Sequence, residues 1–187
     1  LTGGFSGTAI IPRLGPSSAP DSGGALRIID GNVFPKTRAG VQAAVDDLPS
    51  AGGSVFLTAG TYTGWTTAVT LPDDIEVYGA GYATIISKNV GSSAGIFMNS
   101  NANGSATGTT NNRIIVRDMK ILGEGTAQTP YAIRMENVDI FRIENVWCQN
   151  VLNNDSASID IDSCSHFFVR GNYVAGCSNN AIKVRCS

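Results

Sequence analysis

The stretches YAIRMENVDIFRIENVWCQN (131–150) and ASIDIDSCSHFFVRGNYVAG (157–176) repeat one pattern at an offset of 26 residues. Ile133 and Met135 map onto Ile159 and Ile161 at that offset, and these map onto Ile182 and Val184 at an offset of 23. Asp118, Asn145 and Asn172 recur at intervals of 27 and 27. Such a period predicts a solenoid, in which each unit buries its apolar side chains against the next. Apolar and polar residues alternate within each unit, which is the periodicity of a strand. A leucine-rich repeat would need its Leu/Asn consensus and a WD-type propeller a longer period, so a parallel β-helix fits best.

The same alternation, broken at Gly, runs through SVFLTAGTYTG, DIEVYGAGYATIISKN, AGIFMNSNA and RIIVRDMKILGEG, so the chain from Ser54 onward reads as strand and turn. One segment departs from it. Thr37 stands as an N-cap before Val41, Ala44, Val45 and Leu48 at helical spacing, with Pro49, Gly52 and Gly53 beyond. Upstream, residues 1–25 carry Pro12, Pro16 and Pro20 among Gly and Ser and read as an arm or linker. Residues 26–187 are assigned to the β-helix.

The 187 residues carry a formal net charge of -2 with 15% charged side chains, so nothing in the charge balance calls for nucleic acid or an anionic membrane as partner. No apolar run is long enough to span a bilayer. Cys148, Cys164, Cys177 and Cys186 lack the CxxC pairing of zinc or redox sites, which suggests an oxidising, extracytoplasmic setting. Repeat offsets bring Ser163 beside Cys186, so a Cys164–Cys186 disulfide is expected. His166 is the one histidine and has no second histidine for a metal site, so a turn role is expected for it, with no metal and no cofactor.

Residues 40–86, GVQAAVDDLPSAGGSVFLTAGTYTGWTTAVTLPDDIEVYGAGYATII, contain a helix, a GG turn, a V-x-L strand, a GTY turn and a G-x-G-x-x-T-x-I unit. This series resembles the opening of pectate-lyase-like right-handed parallel β-helix proteins, and the resemblance extends over roughly residues 30–187. It implies an all-β, right-handed parallel β-helix with an N-terminal capping α-helix and a leading arm. The family includes secreted polysaccharide lyases, hydrolases and epimerases, and bacteriophage tailspikes. Its members stack more coils than the five or six counted here, so the C-terminal end is expected to be cut short or covered by another subunit. GAGYAT is not read as a dinucleotide fingerprint, because a strand follows where a helix is required.

In SIDID, inward Ile159 and Ile161 imply outward Ser158, Asp160 and Asp162. The repeat then stacks Arg134, Asp160 and Lys183 in one column and Glu136, Asp162 and Arg185 in the next, with coils about 4.8 Å apart. Two carboxylates on one strand face could act on a glycan, with Asp160 as general acid and Asp162 as its partner, while Arg134, Glu136, Lys183 and Arg185 bind substrate. A repeat also lines up charges with no substrate present, as a surface ladder. Asp118, Asn145 and Asn172 are expected at equivalent turns, where Asx side chains hydrogen-bond between coils. Among the aromatic residues, Tyr62 and Trp65 fall in a turn region and are expected to be exposed platforms for sugar rings.

Two functions are carried forward. One is a structural and glycan-adhesion module of a secreted or virion surface appendage such as a tailspike, assembled as a homotrimer or larger array, with polysaccharide as partner. The other is a polysaccharide lyase or glycoside hydrolase acting on an extracellular, uronate-containing glycan. Both place the protein outside the cell or on the virion surface.

Overall fold

The structure is a computed structural model that describes residues 24–88, 95–100, 113–123, 131–152, 157–177 and 180–185. The expected arm lies almost wholly outside the described residues.

The chain opens with β1 (Ala25–Ile29) and α1 (Arg38–Asp46). Thr37 caps the helix, accepting a hydrogen bond from Gly40 N at 3.2 Å, and Gly40, Val41, Ala44 and Val45 form its buried face. The helix packs on the first strands, and Arg27 of β1 pairs with Asp47 just beyond its last turn. Among the described residues it is the one α-helix, and no helix is long and apolar enough to cross a membrane.

Successive coils follow. The first holds β2 (Gly53–Leu57), β3 (Gly60–Tyr62) and β4 (Val69–Leu71). The second holds β5 (Ile75–Gly79), a 3₁₀ turn over Gly81–Ala83, β6 (Thr84–Ser87) and β7 (Phe97–Asn99). Then come β8 (Ile114–Leu122) with β9 (Ile133–Glu136), and β10 (Phe141–Gln149) with β11 (Ala157–Asp162). The last has β12 (Phe167–Arg170), β13 (Tyr173–Ala175) and β14 (Asn180–Arg185). The GAGYAT segment thus leads into β6, the strand expected there.

Strands pair in parallel into two sheets, giving a β-solenoid of about five turns. The longer-stranded sheet runs β1-β2-β5-β8-β10-β12, with β3, β6 and β13 attached. The second runs β4-β7-β9-β11-β14. The sequence offsets are the observed register: Ile159 lies opposite Ile133 on one side and Ile182 on the other, and Ile161 opposite Met135 and Val184.

Stacking in register builds continuous apolar columns. Val55, Val77, Val116, Ile143 and Val169 form one, and Val69, Phe97, Ile133, Ile159 and Ile182 another. Phe141 and Phe167 stack face to face, with ring centroids 5.1 Å apart. Each column is buried through its length until the last coil, where Val169 is partly buried and Ile182 is 43% exposed; Val184, stacked on Ile161, is 48% exposed.

The long strands bend at single left-handed residues. Asp118 (φ 58°) and Asn145 (φ 53°) occupy equivalent corners, and Asn145 Nδ2 donates to Asp118 Oδ1 at 3.0 Å. Asn172 does not continue that column by position. The left-handed corner of the last coil is Gly171 (φ 65°), and a Cβ there would fall 2.4 Å from Asn145 Oδ1. Asn172 instead inserts its amide between coils, accepting from Val146 N at 2.9 Å and donating to Ile143 O at 2.8 Å. It thereby satisfies main-chain groups beside the bend in β10.

Truncating Ile159 to Ala is expected to lower unfolding stability by about 2–5 kcal/mol, because it opens a cavity in the middle of a column. Ile182→Ala, in the same column on the exposed last coil, is expected to cost about 1 kcal/mol or less. Denaturant unfolding of the two variants checks this, and equal losses would contradict the stacking order.

Candidate functional site

The charged cluster lies on the outward row of the second sheet. Register places Arg134, Asp160 and Lys183 side by side, and Glu136, Asp162 and Arg185 beside them. The contacts run diagonally as well as along the columns. Arg185 Nη2 is 3.2 Å from Asp160 Oδ2 and 2.9 Å from Asp162 Oδ2. Arg134 Nη2 is 2.9 Å from Glu136 Oε2, and its Nε is 3.9 Å from Asp160 Oδ2. Ser163 Oγ, just past the strand, donates to Asp162 Oδ1 at 3.1 Å. Three cations thus face three carboxylates.

Exposure departs from the alternation argument. Ser158 and Asp160 point away from the apolar column, as expected, yet both are buried, and Asp160 is only 2% exposed. The period of two identifies the face on which a side chain lies and says nothing about whether that face is covered. A general acid has to reach the leaving-group oxygen within hydrogen-bond distance, and this carboxylate does not meet solvent. Asp160 Oδ1, Arg134 Nε, Arg185 Nε and Ser158 Oγ are shielded and have no hydrogen-bond partner among the described residues. The cluster therefore carries a desolvation cost that only its ion pairs offset.

Tyr62 and Trp65 are corrected from exposed platforms to core. Both are fully buried. The Tyr62 hydroxyl donates to Ile29 O at 2.9 Å and also lies 3.1 Å from Thr58 O, and its burial pushes the phenol pKa up. Trp65 Nε1 donates to Tyr62 O at 3.3 Å, and its ring meets Phe97 edge-on at 5.5 Å. Tyr62 finds main-chain acceptors inside, and Trp65 finds apolar contact in Phe97 and an acceptor in Tyr62 O, which is why neither turns to water.

The aromatic rings that do face outward belong to the other sheet. Lys120, Trp147 and Tyr173 occupy one outward row of β8, β10 and β13. Tyr82, from the 3₁₀ turn, meets the Trp147 ring edge-on at 5.5 Å, and Tyr173 meets it edge-on at 5.3 Å. Tyr82 is 47% and Tyr173 55% exposed. Lys120 Nζ sits 4.2 Å from the Trp147 ring centroid. Tyr173 is the residue that sequence reasoning passed over, although it follows Trp147 at the same offset of 26. On the neighbouring outward rows Arg117 lies over Tyr78 and Arg142 over Phe168.

The expected Cys164–Cys186 disulfide is not formed. Cys164 is a free thiol whose Sγ is 3.1 Å from Asp162 O and 3.5 Å from Val138 N, and Cys186 lies outside the described residues. Cys148, in the apolar column of β10, is also free, and burial pushes its pKa up to about 12. His166 is exposed at a turn (φ 34°), with Nδ1 2.9 Å from Asp139 Oδ1. That contact, with a bond from Ser165, holds the Asp139 carboxyl below its usual range. Among the described residues no group of three His, Cys, Asp or Glu is placed to hold a metal ion.

No protein-family model and no curated protein matches the chain. Among solved structures, ORF18 of Geobacillus virus E2 is similar, with a TM-score of 0.55 and 15% identity over 81% of this chain. The chain spans 41% of that protein's length. At this identity the likeness is one of fold.

Asp160→Asn keeps the side-chain volume and leaves two guanidinium groups without their shared buried carboxylate, so it is expected to cost about 3–5 kcal/mol of stability. Denaturant unfolding reads this, and a change within about 0.5 kcal/mol would mean that the pairs carry no weight. In native protein at pH 8, iodoacetamide is expected to leave Cys148 unmodified and to label it after unfolding. Labelling of Cys148 in the native state, seen by peptide mass mapping, would contradict its burial.

Proposed function

We propose that the chain is a structural and glycan-adhesion module of a secreted or virion surface appendage. In this reading it is a right-handed parallel β-helix of the pectate-lyase-like kind, with α1 as its N-terminal cap and residues 1–25 as a leading arm. The observation that carries adhesion is an outward aromatic row, where Tyr82 of the 3₁₀ turn and Tyr173 of β13 flank Trp147 of β10 at 5.5 and 5.3 Å. Rings with an apolar face and a polar edge suit sugars, and a solenoid holds them without loop motion. The phage origin of the similar fold agrees with a place on a virion.

The module works as a homotrimer. The alternative of a lyase or glycoside hydrolase using Asp160 and Asp162 is weaker on geometry, since Asp160 is buried and Arg185 bridges the two carboxylates.

Purified protein is expected to sediment at three chains per particle and to be retained on polysaccharide without releasing new reducing ends or unsaturated uronides. A monomer with no retention on any polysaccharide would remove the adhesion reading. Release of product, lost in Asp162→Asn, would establish the enzyme in its place.

A further inference from the structure

Ion pairs line the outward rows of both sheets, including Arg117 with Glu76 at 2.8 Å on the first, and Lys120 stands outside them. On the second sheet the guanidinium groups of Arg134 and Arg185 are taken up by Glu136, Asp160 and Asp162. On the first sheet, Lys120 has no carboxylate partner among the described residues and lies on the Trp147 ring instead. An exposed ion pair would have been the ordinary solution for a solvent-facing lysine, and the repeat supplies one elsewhere, between Arg170 and Glu144 at 2.9 Å. Trp147 Nε1 is shielded and has no acceptor among the described residues, a cost that packing on a solvent-facing row does not call for.

The geometry points to this ridge, Lys120, Trp147, Tyr173 and Tyr82, as the binding site for an acidic glycan laid along the stacking direction of the coils. The inference rests on the adhesion reading above and adds to it the site and the class of sugar. Lys120, Trp147 and Tyr173 come from successive coils, about 4.8 Å apart, so the ridge is a track rather than a pocket. Tyrosine rings offer faces to the C–H side of sugar rings, and the ammonium meets a carboxylate carried by the sugar. Nucleic acid also stacks on aromatic rings, but it needs a run of cations, and the formal net charge of -2 supplies no such field.

The test is affinity electrophoresis of the intact chain in native gels containing polygalacturonate, alginate or polysialic acid, with dextran as the neutral control. Retardation is expected in at least one acidic gel and not in dextran. Trp147→Ala and Tyr173→Ala should each weaken it about tenfold. Lys120→Gln should weaken it several-fold, and Lys183→Gln on the other sheet should leave it unchanged. Melting curves for Tyr173→Ala and Lys120→Gln, both on the surface, separate loss of binding from loss of fold. Retardation that survives Trp147→Ala but not Lys183→Gln would overturn the ridge and leave adhesion standing. Absence of retardation in every gel would overturn both. Equal retardation in dextran, indifferent to Lys120→Gln, would overturn the acidic class. Concentration-dependent sedimentation abolished by Trp147→Ala, without retardation in any gel, would make the ridge a contact between copies and overturn the site.

Discussion

The structure depends on coils of nearly equal length keeping their strands in parallel register, so that each aliphatic side chain rests on its counterpart one coil away. Main-chain hydrogen bonds along a parallel ladder set the spacing, but they are indifferent to which residues face inward. The apolar columns decide that. A slip of one residue would turn Ile133, Ile159 and Ile182 to the outside and bring Arg134, Asp160 and Lys183 into the cylinder, at a cost no hydrogen-bond ladder could offset. The corners follow from the same constraint, since a long strand must bend at a fixed point in every coil. Asp118, Asn145 and Gly171 do so in the left-handed region.

Register also fixes the outer surface. Whatever the inward columns impose, outward side chains are stacked about 4.8 Å apart, so charges and rings are grouped whether or not they are used. Both sheets use ion pairs to resolve this grouping, and the first adds aromatic rings. On the second, guanidinium and carboxylate groups neutralise one another at 2.9–3.2 Å, Arg134 with Glu136 along one strand and Arg185 with Asp160 and Asp162 across adjacent coils. On the first, Lys120 lies on Trp147 and Arg142 on Phe168, while Arg117 lies on Tyr78 and is also paired with Glu76 at 2.8 Å. A closed set of ion pairs has little left to offer a ligand, whereas rings at the surface retain an unfilled face. For this reason the proposed adhesion is placed on the aromatic row and not on the acid pair.

Much of the fold was legible because a repeat states its own register. The pairing of Ile159 with Ile133 and Ile182 was readable from offsets alone, as were the helix after Thr37 and the Asp118–Asn145 corner. Asn172 was misplaced by one position because the last coil turns at Gly171, and two adjacent residues able to adopt positive φ cannot be ranked by spacing. The site was less legible. Period two assigns Asp160 to a face but does not reveal that the face is covered. Tyr62 ends the three-residue β3 and Trp65 lies beyond it, too short a stretch for periodicity to assign a face, and the meetings of Tyr62 with Ile29 O and of Trp65 with Phe97 show them to be inside. The offset set Ser163 beside Cys186 and so brought Cys164 only near it, but offset does not orient a thiol, and Cys164 Sγ is directed to main-chain atoms.

The most direct measurement of parallel stacking is a methyl NOE spectrum of protein labelled only at isoleucine δ1 carbons. The account predicts a linear series of contacts, Ile133 with Ile159 and Ile159 with Ile182, and likewise Ile114 with Ile75. Absence of the Ile133–Ile159 and Ile159–Ile182 contacts, with cross-peaks instead linking residues as in antiparallel hairpins, would contradict it.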